Sequence, residues 1–140
     1  MDQTNKTVSH HDALIYAMVT LSASDRTMTD RELMKIGDIV NTTPVFRDFD
    51  HDRLVTVAEA CGEVLQGDDG LSAVLDIIAG SLPQRLHDTA YALAVEVAAA
   101  DLHVEQEELR FLQLLRDRLD LDKLTVAAIE RGARARYRTG

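Results

Sequence analysis

A chain of 140 residues is long enough to bury one sizeable hydrophobic core, and its apolar content of 46% is ordinary for a globular domain. Aromatic residues make up only 4%, so the core must be mainly aliphatic, which favours packed helices over a β-sandwich or a β-barrel. The net charge of −9 repels phosphate backbones and argues against nucleic acid as a partner, whereas it attracts cations.

The N-terminal residues and the single cysteine bear on location. The polar residues at positions 2–6 lack the apolar core of a signal peptide, and no apolar run approaches the ~20 residues that cross a bilayer. Cys61 alone cannot form an intrachain disulfide, which fits a reducing compartment. We therefore expect a cytoplasmic protein without a membrane span, with a flexible leader over residues 1–8 and one helical domain over residues 9–140.

Apolar residues recur at helical spacing through the first half of the chain. Ser9 is predicted to cap a first helix that ends near residues 22–24, with Asp12 in place of the usual capping-box glutamate. Thr29 and Glu32 form the Thr-x-x-Glu capping box of a second helix, which ends before Pro44. These signals predict a helical hairpin at the start of the domain.

The same spacing predicts the later helices. A turn of helix buries two phenylalanines at 46 and 49, a third helix opens at residue 50 or 51, and the run 67–70 breaks the chain. A shorter helix is expected from Leu71 to Ala79, ended by Gly80, and the next has Pro83 in its first turn. Two more are expected over about 105–119 and 123–137. The predicted buried stripe of the first of these contains Leu109, Leu112, Leu115 and Leu119.

A short acidic turn occurs twice. Each copy has an Ala-x-Asp followed after six residues by Glu-Leu, and each lies between two helical stretches. Shifting the sequence by 76 positions superimposes the copies, which indicates an internal repeat of a helical hairpin. The pairs brought together are Val19/Val95, Ala23/Ala99, Asp25/Asp101, Glu32/Glu108 and Leu33/Leu109.

These turns resemble the TerB-like family (tellurite-resistance protein B-like domain), over most of residues 10–137. The family has an alanine-rich helix ending in Ala-x-Asp-Gly, a polar stretch and a glutamate that opens the next helix, in both halves of a domain of this size. The chain departs from the pattern at Arg26 and Leu102, which replace the glycine of each copy. A bulky residue in a left-handed conformation costs about 1 kcal/mol, so the turn is expected to differ from the family's.

The resemblance implies a compact all-α domain of about seven to eight helices with two pseudo-repeated helical hairpins. It also implies a non-catalytic module of a tellurite-resistance or stress-response system that binds a divalent cation, calcium or magnesium, at its acidic turns. Protein partners and a homo-oligomer are compatible with such a module. The alternatives are a metal-free interaction domain and an enzyme without a local signature.

Four carboxylates are the candidate metal ligands: Asp25, Glu32, Asp101 and Glu108. Oxygen ligands at the mouth of a turn suit a hard cation, but acidic side chains at a helix N-terminus are also favourable without any metal. Glu32 already has a structural task in its capping box. Glu105 is expected to be a poor cap, so the second copy is expected to contribute more to cation binding.

Two further patterns each have two interpretations. The segment from Asp48 to Glu59 has acids at EF-hand positions 1, 3, 5 and 12, but Arg53 replaces the required glycine, so an acidic helix start is the alternative. The arginines around Arg134 suit either an acidic partner or a solvated helix end.

Overall fold

The computed structural model describes residues 6–23, 28–100 and 105–140, and within these ranges the chain is helical, without strands. Three single 3-10 turns, at Pro44–Phe46, His51–Arg53 and Gln84–Leu86, precede helices or follow one. The α-helices of the described ranges are α1 (His10–Ser22), α2 (Asp30–Thr42), α3 (Leu54–Gln66), α4 (Gly70–Ser81), α5 (His87–Ala100), α6 (Gln106–Arg118) and α7 (Lys123–Arg136). The predicted all-α fold of about seven helices is confirmed.

The helix starts of the first hairpin follow the sequence signals. Ser9 caps α1 by accepting a hydrogen bond from the backbone N–H of Asp12, at 3.1 Å. The Asp12 carboxylate pairs with Arg53 at 3.2 Å. Thr29 and Glu32 form the predicted capping box of α2. Capping is decided by a few neighbouring residues, so it can be inferred from sequence alone.

Helices α1 and α5 form the centre of the domain. Every residue of α1 from Ala13 to Ser22 is buried, and α5 buries side chains around most of its circumference. The two helices pack against each other more extensively than any other pair. A helix that is apolar all round is typical of the middle of a core, and the other helices cover this pair.

The packing repeats as the sequence does. Helix α1 contacts α2, α3 and α6, and α5 makes the equivalent contacts with α6, α7 and α2. Helices α2 and α6 occupy the same 13 positions of the two repeats, shifted by 76 residues. Helix α4 has no equivalent in this scheme and packs on α1, α3 and α6. The two pseudo-repeated hairpins therefore exist in the fold as well as in the sequence.

The connection between α3 and α4 depends on a close backbone approach. A Cβ atom at Gly70 would lie 2.2 Å from the carbonyl oxygen of Leu65, so only glycine fits there. Asp69, just before it, has a φ of 53°. Gly80 was predicted to end α4, and this prediction is wrong, because the helix continues to Ser81 and Gly80 has no positive φ.

Two other sequence expectations need correction. Pro83 precedes the 3-10 turn before α5 and adopts an extended ψ of 151°, so it lies outside the first turn. Leu112, Leu115 and Leu119 are buried as predicted, but Leu109 is 55% exposed, and Glu108 and Phe111 complete the core-facing stripe. Successive residues of a helix are 100° apart, so a stripe centred on Glu108 turns its neighbour Leu109 away from the core.

Across the ranges described above, no helix combines the length and the apolar content needed to cross a membrane.

Candidate functional site

The structure describes two of the four candidate metal ligands, Glu32 and Glu108. Asp25 and Asp101 lie outside the described residues. Glu32 and Glu108 occupy the same position, N3, in the first turns of α2 and α6. The fold therefore gives these two glutamates equivalent places in the two repeats.

Both glutamates bond to the backbone of their own helix start. The backbone N–H of Thr29 donates to Glu32 Oε1 at 2.8 Å, and that of Glu105 donates to Glu108 Oε1, also at 2.8 Å. The expectation that Glu108 would be less committed than Glu32 is therefore contradicted. A glutamate at N3 needs only the N–H of the N-cap residue, whatever that residue's side chain. Glu108 is also only 4% exposed, so its side chain packs against the core as well as capping α6.

The described residues contain no group of three or more histidine, cysteine, aspartate or glutamate side chains placed to hold a metal ion. The EF-hand interpretation of residues 48–59 is wrong, because α3 begins at Leu54 and the second half of that segment is helical rather than a loop. Asp50 instead accepts a hydrogen bond from the backbone N–H of Asp52, at 3.0 Å. Cys61 is fully buried, and burial raises the pKa of its thiol to about 11, so it behaves as a core residue.

One side of each acidic turn lies against a shared cavity. Ala23 precedes the first turn, and Gln106 and Glu107 follow the second, and all three line a cavity of about 480 Å³. Thr20 from α1 and Phe111 from α6 complete part of the wall. The packing of α1 against α6 thus brings the end of one repeat's first helix to the start of the other repeat's second helix.

Each repeat also forms a groove between its three helices. The first groove, between α1, α2 and α3, has a volume of about 450 Å³. Its lining is mostly apolar, with Met28, Leu33 and the half-exposed Val55 at the surface and Glu59 as its one charged residue among those described. An open apolar groove between helices is typical of a surface that binds another helix.

The second groove lies between α5, α6 and α7 and has a volume of about 680 Å³. Val95, Ala99 and Leu109 line it, and these are the repeat equivalents of Val19, Ala23 and Leu33 in the first groove. The two grooves are therefore the same structural feature built twice.

The second groove differs from the first in charge. Arg116, Arg134 and Arg138 line it together with one acid, Glu130. Arg116 donates to Glu130 Oε2 at 3.3 Å. No ion pair to Arg134 or Arg138 is found in the part of the chain that the structure describes. Within a chain of net charge −9, this groove is a local basic surface.

A buried tyrosine hydroxyl forms a hydrogen bond to the one acid of the second groove. Tyr91 of α5 is fully buried, and its hydroxyl donates to Glu130 Oε2 at 2.5 Å. Burial and then the bond to this carboxylate raise the pKa of Tyr91 to about 12. The carboxylate thus accepts hydrogen bonds from both α5 and α6 while belonging to α7.

Sequence reasoning missed the link between Tyr91 and Glu130. A tyrosine within an apolar helix is itself a signal, since a buried hydroxyl needs a hydrogen-bond partner. That partner lies 39 residues away, and its identity depends on how α7 packs against α5.

The resemblance to the TerB-like family stays a prediction from the two acidic turns. Comparison of the chain with protein-family models, with curated proteins and with solved structures gives no match.

Proposed function

We propose that this protein is a non-catalytic interaction module whose two repeats each offer a groove to a helical segment of a partner protein. The observation that carries the proposal is that equivalent residues, Leu33 and Leu109, line an open groove in each repeat. A helix laid in such a groove buries apolar side chains on both partners, which is the main source of affinity in this mode of binding.

The exposed apolar residues support the proposal. Leu109 is 55% exposed at the edge of the second groove, and Val55 is 52% exposed at the edge of the first. Single exposed aliphatic residues are common on any protein, but these two lie at the edges of apolar grooves. A partner helix that covers either residue removes that apolar surface from water.

A divalent cation at the acidic turns is a second candidate. The cavity lined by Ala23, Gln106 and Glu107 favours it, because it brings the segment before the first turn close to the segment after the second. A calcium or magnesium ion would relieve the repulsion between clustered carboxylates. The proposed ligands are Asp25, Glu32, Asp101 and Glu108.

A cytoplasmic stress-response role linked to tellurite is part of the same proposal. It rests on the resemblance of the two turns to the TerB-like family. An interaction module without catalytic machinery fits a role in which the protein assembles other components.

Peptide selection followed by mapping tests the proposal. A library of helical peptides displayed on phage would be selected against the intact protein, and enriched peptides would be titrated into isotope-labelled protein. We expect the amide shifts to change most at residues that line one or both grooves. Shifts confined to other surfaces, or a selection that enriches no peptide, would overturn the proposal.

A further inference from the structure

We propose that the second groove selects an acidic amphipathic helix, whose apolar side chains cover Leu109 and Leu112 and whose carboxylates pair with Arg134 and Arg138. This inference rests on the proposed function and adds the chemistry of the partner and the choice of groove. It is carried by the apolar floor of the groove, by two arginines that form no ion pair with any described residue, and by the contrast with the first groove.

The floor of the groove is formed by small and aliphatic side chains. Val95, Ala98 and Leu112 are nearly buried at its base, and Leu109 stands at its edge, largely exposed. Alanines on α5 and α7 keep the groove wide enough for apolar side chains to enter between the helices. A partner helix with apolar residues at positions i, i+3, i+4 and i+7 presents a stripe of matching shape.

The two arginines provide the charge that such a partner must complement. Arg134 lies in the last turn of α7 and Arg138 just beyond its end, both exposed and both among the groove-lining residues. The third arginine of the groove, Arg116, is already engaged with Glu130. Glu130 lies one turn before Arg134 on α7, but no ion pair to Arg134 or Arg138 is found among the described residues. The described lining has three arginines and one acid, although the chain as a whole is strongly acidic. Guanidinium groups bind carboxylates with two parallel hydrogen bonds where geometry allows.

The contrast with the first groove indicates which partner the charge of the second groove selects. The two grooves have equivalent positions and share equivalent apolar residues, yet the described lining of the first contains Glu59 as its only charge. Repeats that keep the apolar part and differ in charge are suited to different partners, because charge sets which partner is rejected. The basic groove therefore accepts an acidic helix and repels a basic one.

The shape of the groove favours a helix over a fatty acid or another small anion. The groove is open to solvent and lies along three helices, and polar side chains such as Gln113 occur among its lining residues. Small-molecule sites enclose most of their ligand's surface. An open groove covers one face of its occupant, as helix-binding grooves do.

The test compares two designed peptides that differ only in charge. Each is a helix of about 16 residues, roughly four turns, with leucine at i, i+3, i+4 and i+7, and with either glutamate or lysine at the flanking positions. Binding to the intact protein is measured by fluorescence anisotropy at several salt concentrations. We expect the glutamate peptide to bind more tightly by about tenfold or more, and its affinity to fall as salt rises.

Matched variants assign the binding to the groove. R134E/R138E should weaken the glutamate peptide about tenfold and strengthen the lysine peptide, whereas R131E, a single charge reversal on α7 outside the groove lining, should leave both within about twofold. Leu109→Ser should weaken both peptides, and Leu124→Ser, at another exposed leucine, should weaken neither. All five positions are exposed, and circular dichroism of each variant verifies that the fold is intact.

Other results would overturn the inference. These are equal binding of the two peptides, no effect of R134E/R138E, binding of laurate or anionic vesicles at these residues without peptide binding, or a dimer of the protein that R134E/R138E dissociates. If library-selected peptides occupy either groove while the glutamate peptide does not bind, this inference fails and the interaction module stands. If no peptide of any charge binds in either groove, both fail.

Discussion

Replacing Tyr91 by phenylalanine removes one hydroxyl from the centre of the second repeat and leaves the ring in place. That hydroxyl donates to Glu130 at 2.5 Å and connects α5 to α7. A hydrogen bond to a charged acceptor contributes about 1.5–3 kcal/mol. The Glu130 side chain is 34% exposed and keeps its bond to Arg116, so water can solvate the carboxylate that the hydroxyl leaves. We therefore expect a loss near the lower bound, about 1.5 kcal/mol.

Urea unfolding followed by circular dichroism measures this loss, and thermal unfolding should show a fall in Tm of about 5 °C for a domain of this size. Tyr16→Phe is the matched control. Tyr16 is also buried, but its hydroxyl has no hydrogen-bond partner among the described residues, so its removal should leave stability unchanged or slightly raised.

A double-mutant cycle with Glu130→Gln isolates the interaction itself. We expect a coupling free energy of about 1 kcal/mol between Tyr91 and Glu130. If Tyr91→Phe behaves like Tyr16→Phe, or if the two changes are additive, the hydroxyl does not stabilise the packing of α7 on α5 and our reasoning is refuted.

Three further predictions test the helix phase, the titration of Tyr91 and the cation candidate. Leu112→Ala should cost about 2–5 kcal/mol and Leu109→Ala less than about 0.5 kcal/mol in urea unfolding, because only the first is buried; equal losses would contradict the phase of α6. Burial raises the pKa of Tyr91 to about 12, so the stability that its protonated hydroxyl contributes is complete below the ordinary tyrosine pKa of 10 and is lost as pH rises through about 12. Ultraviolet absorbance should show a late-titrating tyrosine that is absent in Tyr91→Phe. Millimolar calcium should raise Tm above a monovalent control of equal ionic strength, and Asp25→Asn and Asp101→Asn should reduce the rise similarly, because Glu32 and Glu108 have equivalent bonds; no calcium-specific rise would contradict the cation candidate.

Local signals predicted much of the fold. The caps at Ser9 and Thr29 and the break before Gly70 depend on a few adjacent residues, so the sequence contains what decides them. The repeat was also visible, because both hairpins use the same pattern of alanine, acid and leucine. The expectation at Gly80 was wrong because a glycine ends a helix where it adopts a left-handed conformation, and Gly80 has no positive φ, so α4 continues to Ser81.

Tertiary packing decided what the sequence could not show. Leu109 and Glu108 are neighbours, and the intrinsic preference for burying leucine over glutamate gives the opposite of the observed arrangement. Glu108 is buried because its carboxylate caps α6 where the helix meets the core. The charge of the second groove likewise depends on Arg116 and Arg134, which belong to different helices and come together only in the folded chain.

Because α1 and α5 bury each other, the two halves of the domain pack like the subunits of a dimer that a single chain connects. A fragment ending after α3 would contain α1 without the α5 that covers it. A fragment beginning at α5 would contain α5 without the α1 that covers it. Neither half can bury the apolar surface of its central helix alone, so each is expected to associate with a second copy of itself or with the other half. Helix α4 connects the halves and keeps their effective concentration high, so that assembly inside one chain prevails over exchange between chains.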